Sequence, residues 1–219
     1  SSVSANTAAG FSIVSYTGTG STATVGHGLS VAPELLIVKN RTDAGTAWQV
    51  GSDALTSWLY YITLNSTAAQ NTNNQMWNST VPTSSVFTVK DAGDVNTNTK
   101  NYIAYCFHSV EGYSKVGSYE GNNNANGAFI YTGFKPAMVI IKEIDAARSW
   151  VMFDNKRNPY NEVTTDLKPD SDSSEGTSRN LDFLSNGIKM RESSAFINDA
   201  LTYVYIAFAE SPFKTSNAR

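Results

Sequence analysis

Cleavage of a sugar chain is one reaction for which this sequence holds suitable side chains. A glycosidase needs two carboxyl groups, about 5–10 Å apart, on either side of the scissile bond. No E-x-D-x-x-E spacing places two carboxylates on one face of a strand, so Asp154, in "SWVMFDNKRNPY", is the acid to test first, with Glu120 as a partner. Asp154 could equally cap the turn that leads to "NPY". The acids considered were Glu111, Glu120, Asp154, Glu162, Asp166 and Asp182.

Carbohydrate binding without catalysis is the second chemistry that these residue types allow. It needs aromatic platforms beside amide and carboxylate groups in a weakly charged, concave site. The aromatic candidates are Trp58, Tyr61, Trp77 and Tyr160, which lie in or near Asn/Ser/Thr-rich stretches. Asn78, which follows Trp77 directly, and Asp154 are the candidate amide and carboxylate. Trp77 has no counterpart in the second half of the chain, which favours it for sugar contact. The competing interpretation is a tryptophan that folds back on its own sheet.

An acidic segment, "DLKPDSDSSEG", offers the chemistry of a cation site. Its carboxylates at Asp170, Asp172 and Glu175 are hard oxygen ligands of the kind that Ca²⁺ prefers. The spacing departs from the EF-hand pattern and lacks its glycine. We therefore expect a mobile acidic loop, with no bound metal and no cofactor.

Histidine and cysteine give little support for catalysis. His27 lies in a glycine-flanked turn and His108 follows a strand, and the second half of the chain keeps neither. The sequence has no H-E-x-x-H, no G-x-S-x-G and no phosphate-cradling loop. The single cysteine, Cys106, alternates with apolar residues in "NYIAYCFHS", which predicts a buried structural thiol and excludes an intramolecular disulfide.

The composition excludes two classes of partner. The chain has 16 basic and 19 acidic residues without a basic cluster, whereas nucleic-acid binding needs concentrated positive charge. No apolar run approaches the ~20 residues that a membrane-spanning helix requires. Only 16% of the residues are charged, and Ser, Thr, Asn and Gly take their place. Such a surface is typical of extracellular and virion proteins.

Repeated landmarks predict an internal duplication. "GFSIVSYTGTG" recurs as "GYSKVGSYEGN", and "YIAYCF" recurs as "YVYIAF", each about one hundred residues later. Three single residues follow at the same offset of 101 to 103: Pro33, Lys39 and Trp48 recur as Pro136, Lys142 and Trp150. We therefore divide the chain into a linker at 1–9, repeats at 10–110 and 111–213, and a tail at 214–219.

The elements that must position these side chains are strands. "ELLIVKN" and "AMVIIKE" are short apolar runs of β-branched residues, and "FSIVSYTG", "SVFTVKD" and "NYIAYCF" are also β-rich. The one expected exception is a helical turn or two around "SDALTSWLY". The predicted fold is all-β, a β-sandwich with about five strands per copy. No Pro/Gly/Ser-rich linker separates the copies, so we expect them to pack directly with pseudo-two-fold symmetry.

As a set, several of these segments resemble a repeat module of tail-fibre and other virion-associated proteins of tailed bacteriophages, many of them marine. The similarity covers residues 10 to 213 and is carried by "GFSIVSYTGTGSTATVGHGLSVAPELLIVKNR", "NYIAYCFHSVEGYSKVGSYEGN", "FIYTGFKPAMVIIK" and "LDFLSNGIKMR". The resemblance implies a lectin-like β-sandwich that serves as a structural or adhesin domain of the virion. It assigns no binding residue.

Together these observations favour a non-enzymatic host-adhesion domain of a phage fibre that recognises a cell-surface polysaccharide or receptor. The expected partners are that receptor, other virion proteins and copies of the chain itself, with a trimer as the expected oligomer. The alternatives are a structural virion protein, such as a capsid decoration or fibre spacer, and a polysaccharide depolymerase.

Overall fold

The computed structural model describes residues 1–212 and is nearly all-β, with 41% of residues in strands and 4% in helices. This confirms the predicted fold class. The described chain forms two compact units. The first comprises Ser1–Asn65 and Gln70–Ser109, and the second comprises Ser66–Ala69 and the described part of Val110–Arg219. The predicted tail at 214–219, and Phe213 at the end of the second predicted repeat, lie outside the described residues.

The first unit contains a seven-stranded and a two-stranded antiparallel sheet. Its elements are β1 (Ser2–Asn6), β2 (Phe11–Thr17), β3 (Ala23–Gly26), β4 (Leu35–Asn40), β5 (Trp48–Ser52), β6 (Tyr60–Thr63), β7 (Asn71–Thr72), α1 (Asn74–Trp77), β8 (Val86–Val89), α2 (Gly93–Asn96) and β9 (Asn101–Phe107). The large sheet has the order β1-β2-β9-β4-β5-β6-β7, and β3 pairs with β8.

Alternating side chains build the core of the first unit. Every second residue of β2 and β9 is buried, including Val14, Tyr102 and Cys106. These residues belong to the same apolar cluster as Phe87 and Val89 of the small sheet. One core therefore joins the two sheets, an arrangement consistent with a β-sandwich.

The second unit contains a five-stranded and a three-stranded antiparallel sheet. Its strands are β10 (Ser114–Glu120), β11 (Phe129–Tyr131), β12 (Pro136–Glu143), β13 (Val151–Asp154), β14 (Asp166–Leu167), β15 (Leu181–Leu184), β16 (Gly187–Met190) and β17 (Thr202–Ala209). The sheet orders are β10-β17-β12-β13-β14 and β11-β16-β15. Val139 and Tyr205 of the large sheet share an apolar cluster with Ile130 and Ile188 of the small one.

Two expectations from the sequence need correction. Residues 1–9 are not simply a linker, because β1 pairs along its whole length with β2. All five β1 side chains are exposed, including Val3 and Ala5, which alternate with polar residues, and the strand is held by its backbone pairing with β2. The expected helical turn at "SDALTSWLY" is absent, and the helices of the described chain are the single turns α1 and α2.

Candidate functional site

The exposed aromatic side chains of the described chain lie in the second unit. They are Phe129, Tyr131 and Tyr160, with 47%, 66% and 84% of their surface accessible. Aromatic rings contribute a large apolar area when they are covered, so exposed rings are candidates for contact with a ligand. Tyr160, one of the aromatic candidates from the sequence, is the most exposed of the three.

Tyr160 borders a cavity of about 220 Å³, which we call the Tyr160 groove. Its lining residues are Lys135, Asn155, Asn158, Pro159, Tyr160, Asn161, Val163 and Phe183. Three asparagine side chains, one tyrosine and one lysine thus surround a small apolar floor.

The asparagines hold the loop that presents Tyr160. Asn161 donates from Nδ2 to the Phe183 carbonyl at 3.1 Å and accepts from the Phe183 N–H at 3.0 Å. The Asn158 Oδ1 accepts from the Thr164 and Thr165 N–H groups at 3.2 and 2.7 Å. These bonds anchor both sides of the tyrosine, so its ring is presented without being buried.

One ion pair supplies the charge of the groove. The Lys135 ammonium lies 2.8 Å from Glu210 Oε2, and Asn155 Nδ2 donates to Glu210 Oε1 at 2.8 Å. The hydrogen bond from Lys135 holds the pKa of the Glu210 carboxyl below its ordinary value, with a smaller contribution from Asn155. The carboxylate is therefore ionised at neutral pH, and the pair leaves the groove without net charge.

This arrangement fits a polar ligand with an apolar face. The Tyr160 hydroxyl and the Asn158 Nδ2 make no hydrogen bond to another described residue, so both are available to a ligand. A pyranose ring has one apolar face and a rim of hydroxyl groups, which matches a tyrosine platform flanked by amide groups. The groove is thus suited to binding a sugar.

Comparison with known proteins places the chain in a family. A family model described as a domain of unknown function, DUF7483, matches residues 1–212. The chain belongs to the DUF7483 family. No curated protein and no solved structure matches this DUF7483 chain. Within the described residues, the DUF7483 domain has no helix long and apolar enough to cross a membrane.

The two tryptophan candidates of this DUF7483 domain are buried in its first unit, which corrects their expected surface position. Trp77 is 0% exposed and Trp58 is 4% exposed, and their rings pack edge to face at 6.2 Å between centroids. Trp58 donates from Nε1 to Asp53 Oδ1 at 2.5 Å. The competing interpretation, a tryptophan folded back on its own sheet, is therefore the right one.

The other two candidates in this region have structural roles. Tyr61 is half-buried and packs against the core of the first unit. Asn78 ends α1 in a left-handed conformation, with φ of 53°, and its N–H donates to the Asn74 carbonyl. Neither residue lines the Tyr160 groove.

Asp154 caps a turn, as the alternative interpretation had it. Its Oδ1 accepts from the N–H groups of Lys156 and Arg157 at 2.9 Å, and its Oδ2 pairs with the Arg157 guanidinium. Glu120 lies at the opposite end of the sheet. It pairs with Thr202 near the start of β17, whereas Asp154 is aligned through Met138 with Phe208 near the end of β17. Three strand spacings of about 4.8 Å also separate them. They cannot form a glycosidase pair.

The acidic loop does not assemble a cation site. Asp170 accepts from the Trp150 N–H at 2.9 Å, and Glu175 pairs with Arg157 at 2.9 Å, while Asp172 is exposed. Across residues 1–212, no group of three or more His, Cys, Asp or Glu side chains is placed to hold a metal.

Cys106 and His27 are both fully buried. Burial raises the pKa of the Cys106 thiol to about 12, which keeps it protonated and confirms the predicted structural thiol. The His27 Nε2 lies 3.0 Å from the Thr83 carbonyl, and its Nδ1 accepts from the Leu29 N–H at 3.1 Å. This pattern requires a neutral ring with the proton on Nε2.

Burial makes His27 a source of acid sensitivity. It lowers the pKa of the ring below the ordinary value of 6.5, so the unfolded chain binds the proton more readily than the folded chain. The contribution of His27 to stability is therefore complete above pH 6.5 and is lost as the pH falls through the folded pKa. We expect His27→Gln to be less stable than the native chain at pH 8, with the difference shrinking toward pH 5. Urea unfolding at several pH values measures it, and a difference independent of pH would contradict this assignment.

Another polar cavity, of about 390 Å³, lies in the first unit. Its lining residues are Ser1, Ser2, Ser15, Tyr16, Thr17, Arg41, Asn101 and Tyr102. Both tyrosines are buried, at 7% and 0% exposure, so this cavity offers no aromatic platform. The Tyr160 groove is therefore the better candidate despite its smaller volume.

Sequence reasoning identified Tyr160 but not the side chains around it. Lys135 and Glu210 are 75 residues apart in sequence and meet only because β12 and β17 are neighbours in the sheet. The amide groups were detectable, since "DNKRNPYNE" concentrates three asparagines around the tyrosine.

Proposed function

We propose that this DUF7483 domain is a non-enzymatic carbohydrate-binding module and that the Tyr160 groove holds the sugar. The observation that carries the proposal is an 84% exposed tyrosine ring fixed between asparagine side chains beside an electrically neutral ion pair. Three of the six carboxylates considered for catalysis also support a binding role, because Asp154, Asp166 and Asp182 are each paired with an arginine.

The biological setting that we propose is the virion of a tailed phage, with attachment to a polysaccharide of the host surface. The resemblance to phage fibre modules and the weakly charged surface support this setting. Single sugar sites of this kind bind weakly, and attachment gains strength when several copies engage one surface. A homo-oligomer, such as the expected trimer, would provide that multivalency.

Substitution of the tyrosine tests the proposed site. We expect Tyr160→Ala to weaken glycan binding about five- to tenfold, because it removes a stacking contact of about 1 kcal/mol. Tyr160→Phe should retain most of the binding, since it keeps the ring. Glycan-array screening of the purified chain, followed by calorimetry on the best ligand, measures both effects.

Val31→Ala is the matched control, because Val31 is also exposed, at 50%, and lies in the other unit. It should bind as the native chain does. Binding that survives Tyr160→Ala would place the site elsewhere. A folded chain that binds neither glycans nor host cells would favour the alternative role as a structural virion protein.

We also infer that the two units are copies of one ancestral fold. Both large sheets share one strand order, since β2-β9-β4-β5 in the first unit matches β10-β17-β12-β13 in the second. In each unit the first of these strands in the sequence, β2 or β10, lies beside the last, β9 or β17. The next strand in the sheet, β4 or β12, carries the repeated lysine, Lys39 or Lys142. This match supports the predicted duplication, whereas the predicted pseudo-two-fold packing stays a prediction.

Matching hydrogen bonds of two tyrosines also support the duplication. The hydroxyl of Tyr16 donates to the Val95 carbonyl at 2.7 Å, and that of Tyr119 donates to the Ile197 carbonyl at 2.7 Å. Each ring stacks on a tyrosine of the closing strand, with centroids 5.2 and 4.9 Å apart. Burial raises the pKa of both hydroxyls, which keeps them protonated as donors.

Equal roles for these tyrosines predict equal effects. We expect Tyr16→Phe and Tyr119→Phe each to lower the free energy of unfolding by about 1 kcal/mol, the typical contribution of one hydrogen bond. Chemical denaturation of the two variants provides the measurement. A clear loss in one variant with none in the other would argue against equivalent positions.

A further inference from the structure

We propose that the Tyr160 groove continues into a second sugar subsite beside Tyr131, so that the ligand is a neutral oligosaccharide chain and not a single terminal sugar. This inference rests on the proposed carbohydrate-binding function and specifies the class of ligand.

A second cavity adjoins the Tyr160 groove. It has a volume of about 330 Å³ and is lined by Gly112, Gly133, Phe134, Lys135, Ser185, Glu210 and Ser211. Lys135 lines both cavities, and its ion pair with Glu210 forms part of the second one. The two cavities therefore meet at this ion pair on the surface of the second unit.

Tyr131 does not line the second cavity itself but lies beside Gly133, which does. It lies on β11, an edge strand of the three-stranded sheet, and 66% of its surface is exposed. A Cβ atom added at Gly133 would lie 3.7 Å from the Tyr131 hydroxyl, which brings the tyrosine to the rim that Gly133 forms. Gly133 has a φ of +84°, a conformation that favours glycine and here leaves the rim free of a side chain.

Two cavities that meet at one ion pair, one lined by an exposed tyrosine and the other with an exposed tyrosine beside it, fit successive rings of a sugar chain. Each tyrosine can support the apolar face of one ring, and Lys135 and Glu210 lie where hydroxyl groups of adjacent rings would meet. The Lys135 ammonium donates hydrogen bonds and the Glu210 carboxylate accepts them, so the pair can bind sugar hydroxyl groups that act as acceptors or as donors. A single terminal sugar would use only one of the two platforms.

The charges of the lining favour an uncharged chain. Lys135 and Glu210 are the charged residues among those that line the two cavities, and they are paired at 2.8 Å. An acidic sugar would lose hydration on entering and would meet the Glu210 carboxylate, while the cation that lines the cavities is already paired. Lys156 also acts on Glu210, but it lies outside the lining of both cavities. Binding of a neutral chain should also be almost independent of salt concentration.

Chain-length dependence tests the inference. The probes are neutral glucose-, xylose-, mannose- and N-acetylglucosamine-based series from the monosaccharide to the hexasaccharide, together with polygalacturonate as an anionic polymer. Calorimetry would compare the native chain with Tyr131→Ala and Tyr160→Ala. Tyr131→Phe keeps the platform, and Phe129→Ala changes an exposed ring on the same strand that lies against Gly187 and not beside Gly133, so both serve as controls.

We expect the affinity of the native chain to rise with length in at least one neutral series. Tyr131→Ala should lose about five- to tenfold of affinity for the longer chains and nothing for the monosaccharide, since it removes only the second platform. Tyr160→Ala should weaken binding at every length, and both controls should bind as the native chain does.

Three results would overturn the second subsite: a monosaccharide that binds as tightly as the hexasaccharide, a Tyr131→Ala variant with unchanged affinity for long chains, or binding of polygalacturonate alone. In each of these cases the native chain still binds a glycan, so the proposed function stands. A native chain that binds no probe at all would overturn both.

Discussion

Trp77→Ala will lower the free energy of unfolding by about 3–5 kcal/mol, the range measured for removal of a large buried aromatic side chain. Trp77 is fully buried in the core of the first unit, where it packs against Trp58. Its indole is also close to Gly51, at which an added Cβ atom would lie 2.8 Å from the ring. The backbone at Gly51 thus packs directly against the indole, and we expect it not to fill the space that alanine would leave. Urea or thermal unfolding measures the loss.

Two milder substitutions separate packing from hydrogen bonding. The Trp77 Nε1 is buried without a hydrogen-bond partner in the described structure, so Trp77→Phe removes volume and no bond. Trp58→Phe removes volume together with the bond to Asp53. We expect Trp58→Phe to cost more, by about 1 kcal/mol. A Trp77→Ala variant as stable as the native chain would show that Trp77 is not a core residue.

This result bears on the choice of binding experiments. A loss of glycan binding in Trp77→Ala would report a disturbed first unit and not a removed contact. Tyr160→Ala avoids this difficulty because the side chain is 84% exposed and carries little of the packing.

Asp166→Asn will also cost about 3–5 kcal/mol, because it removes the hydrogen-bonded counter-charge of a buried arginine and leaves only the more distant carboxyl of Glu192 to interact with it. Asp166 is 0% exposed, and both of its carboxylate oxygens accept from the Arg179 guanidinium, at 2.8 and 3.0 Å. The guanidinium also lies 3.8 Å above the ring of Phe196, away from bulk water. A neutral amide cannot stabilise that cation to the same degree.

The double variant Asp166→Asn/Arg179→Met provides the control. It also removes the Arg179 charge that has lost its carboxylate partner, so we expect the double variant to be more stable than Asp166→Asn alone. Asp43→Asn, at the exposed pair with Lys100, should have a much smaller effect, because solvent screens that pair. Additive costs of the two changes at Asp166 and Arg179 would contradict a coupled buried pair.

The strands that carry the cores were predictable from local pattern. The runs around Val14, Val38, Cys106 and Val139 alternate or are continuously apolar, and each lies in a strand of the structure. The sequence pattern is enough to predict these strands because successive side chains of a strand point to opposite faces. The positions of the apolar residues therefore indicate which face is buried. The edge strand β1 was missed although Val3 and Ala5 alternate with polar residues, because two small apolar side chains in a Ser/Thr/Ala-rich segment are a weak signal.

Trp77 shows where the pattern gives the wrong answer. Apart from Met76, its neighbours in "NNQMWNST" are polar, which is typical of an exposed loop. The chain instead forms one helical turn, begun by the Asn73 side chain accepting from the Gln75 N–H, and this turn directs Met76 and Trp77 into the core. A helix of four residues is too short to leave a periodic signal, so only the folded chain reveals its direction.

By itself, the sequence determined that this protein is an all-β chain with a weakly charged surface and a buried thiol, because these properties follow from composition and from the alternation of neighbouring residues. The tertiary structure alone decided which aromatic rings face solvent and which charges meet. Tyr160 is exposed because the hydrogen bonds of Asn158 and Asn161 hold its loop, and Lys135 reaches Glu210 because their strands are paired. Contacts between distant residues depend on strand order and loop closure, and neither is encoded in the local pattern of residues.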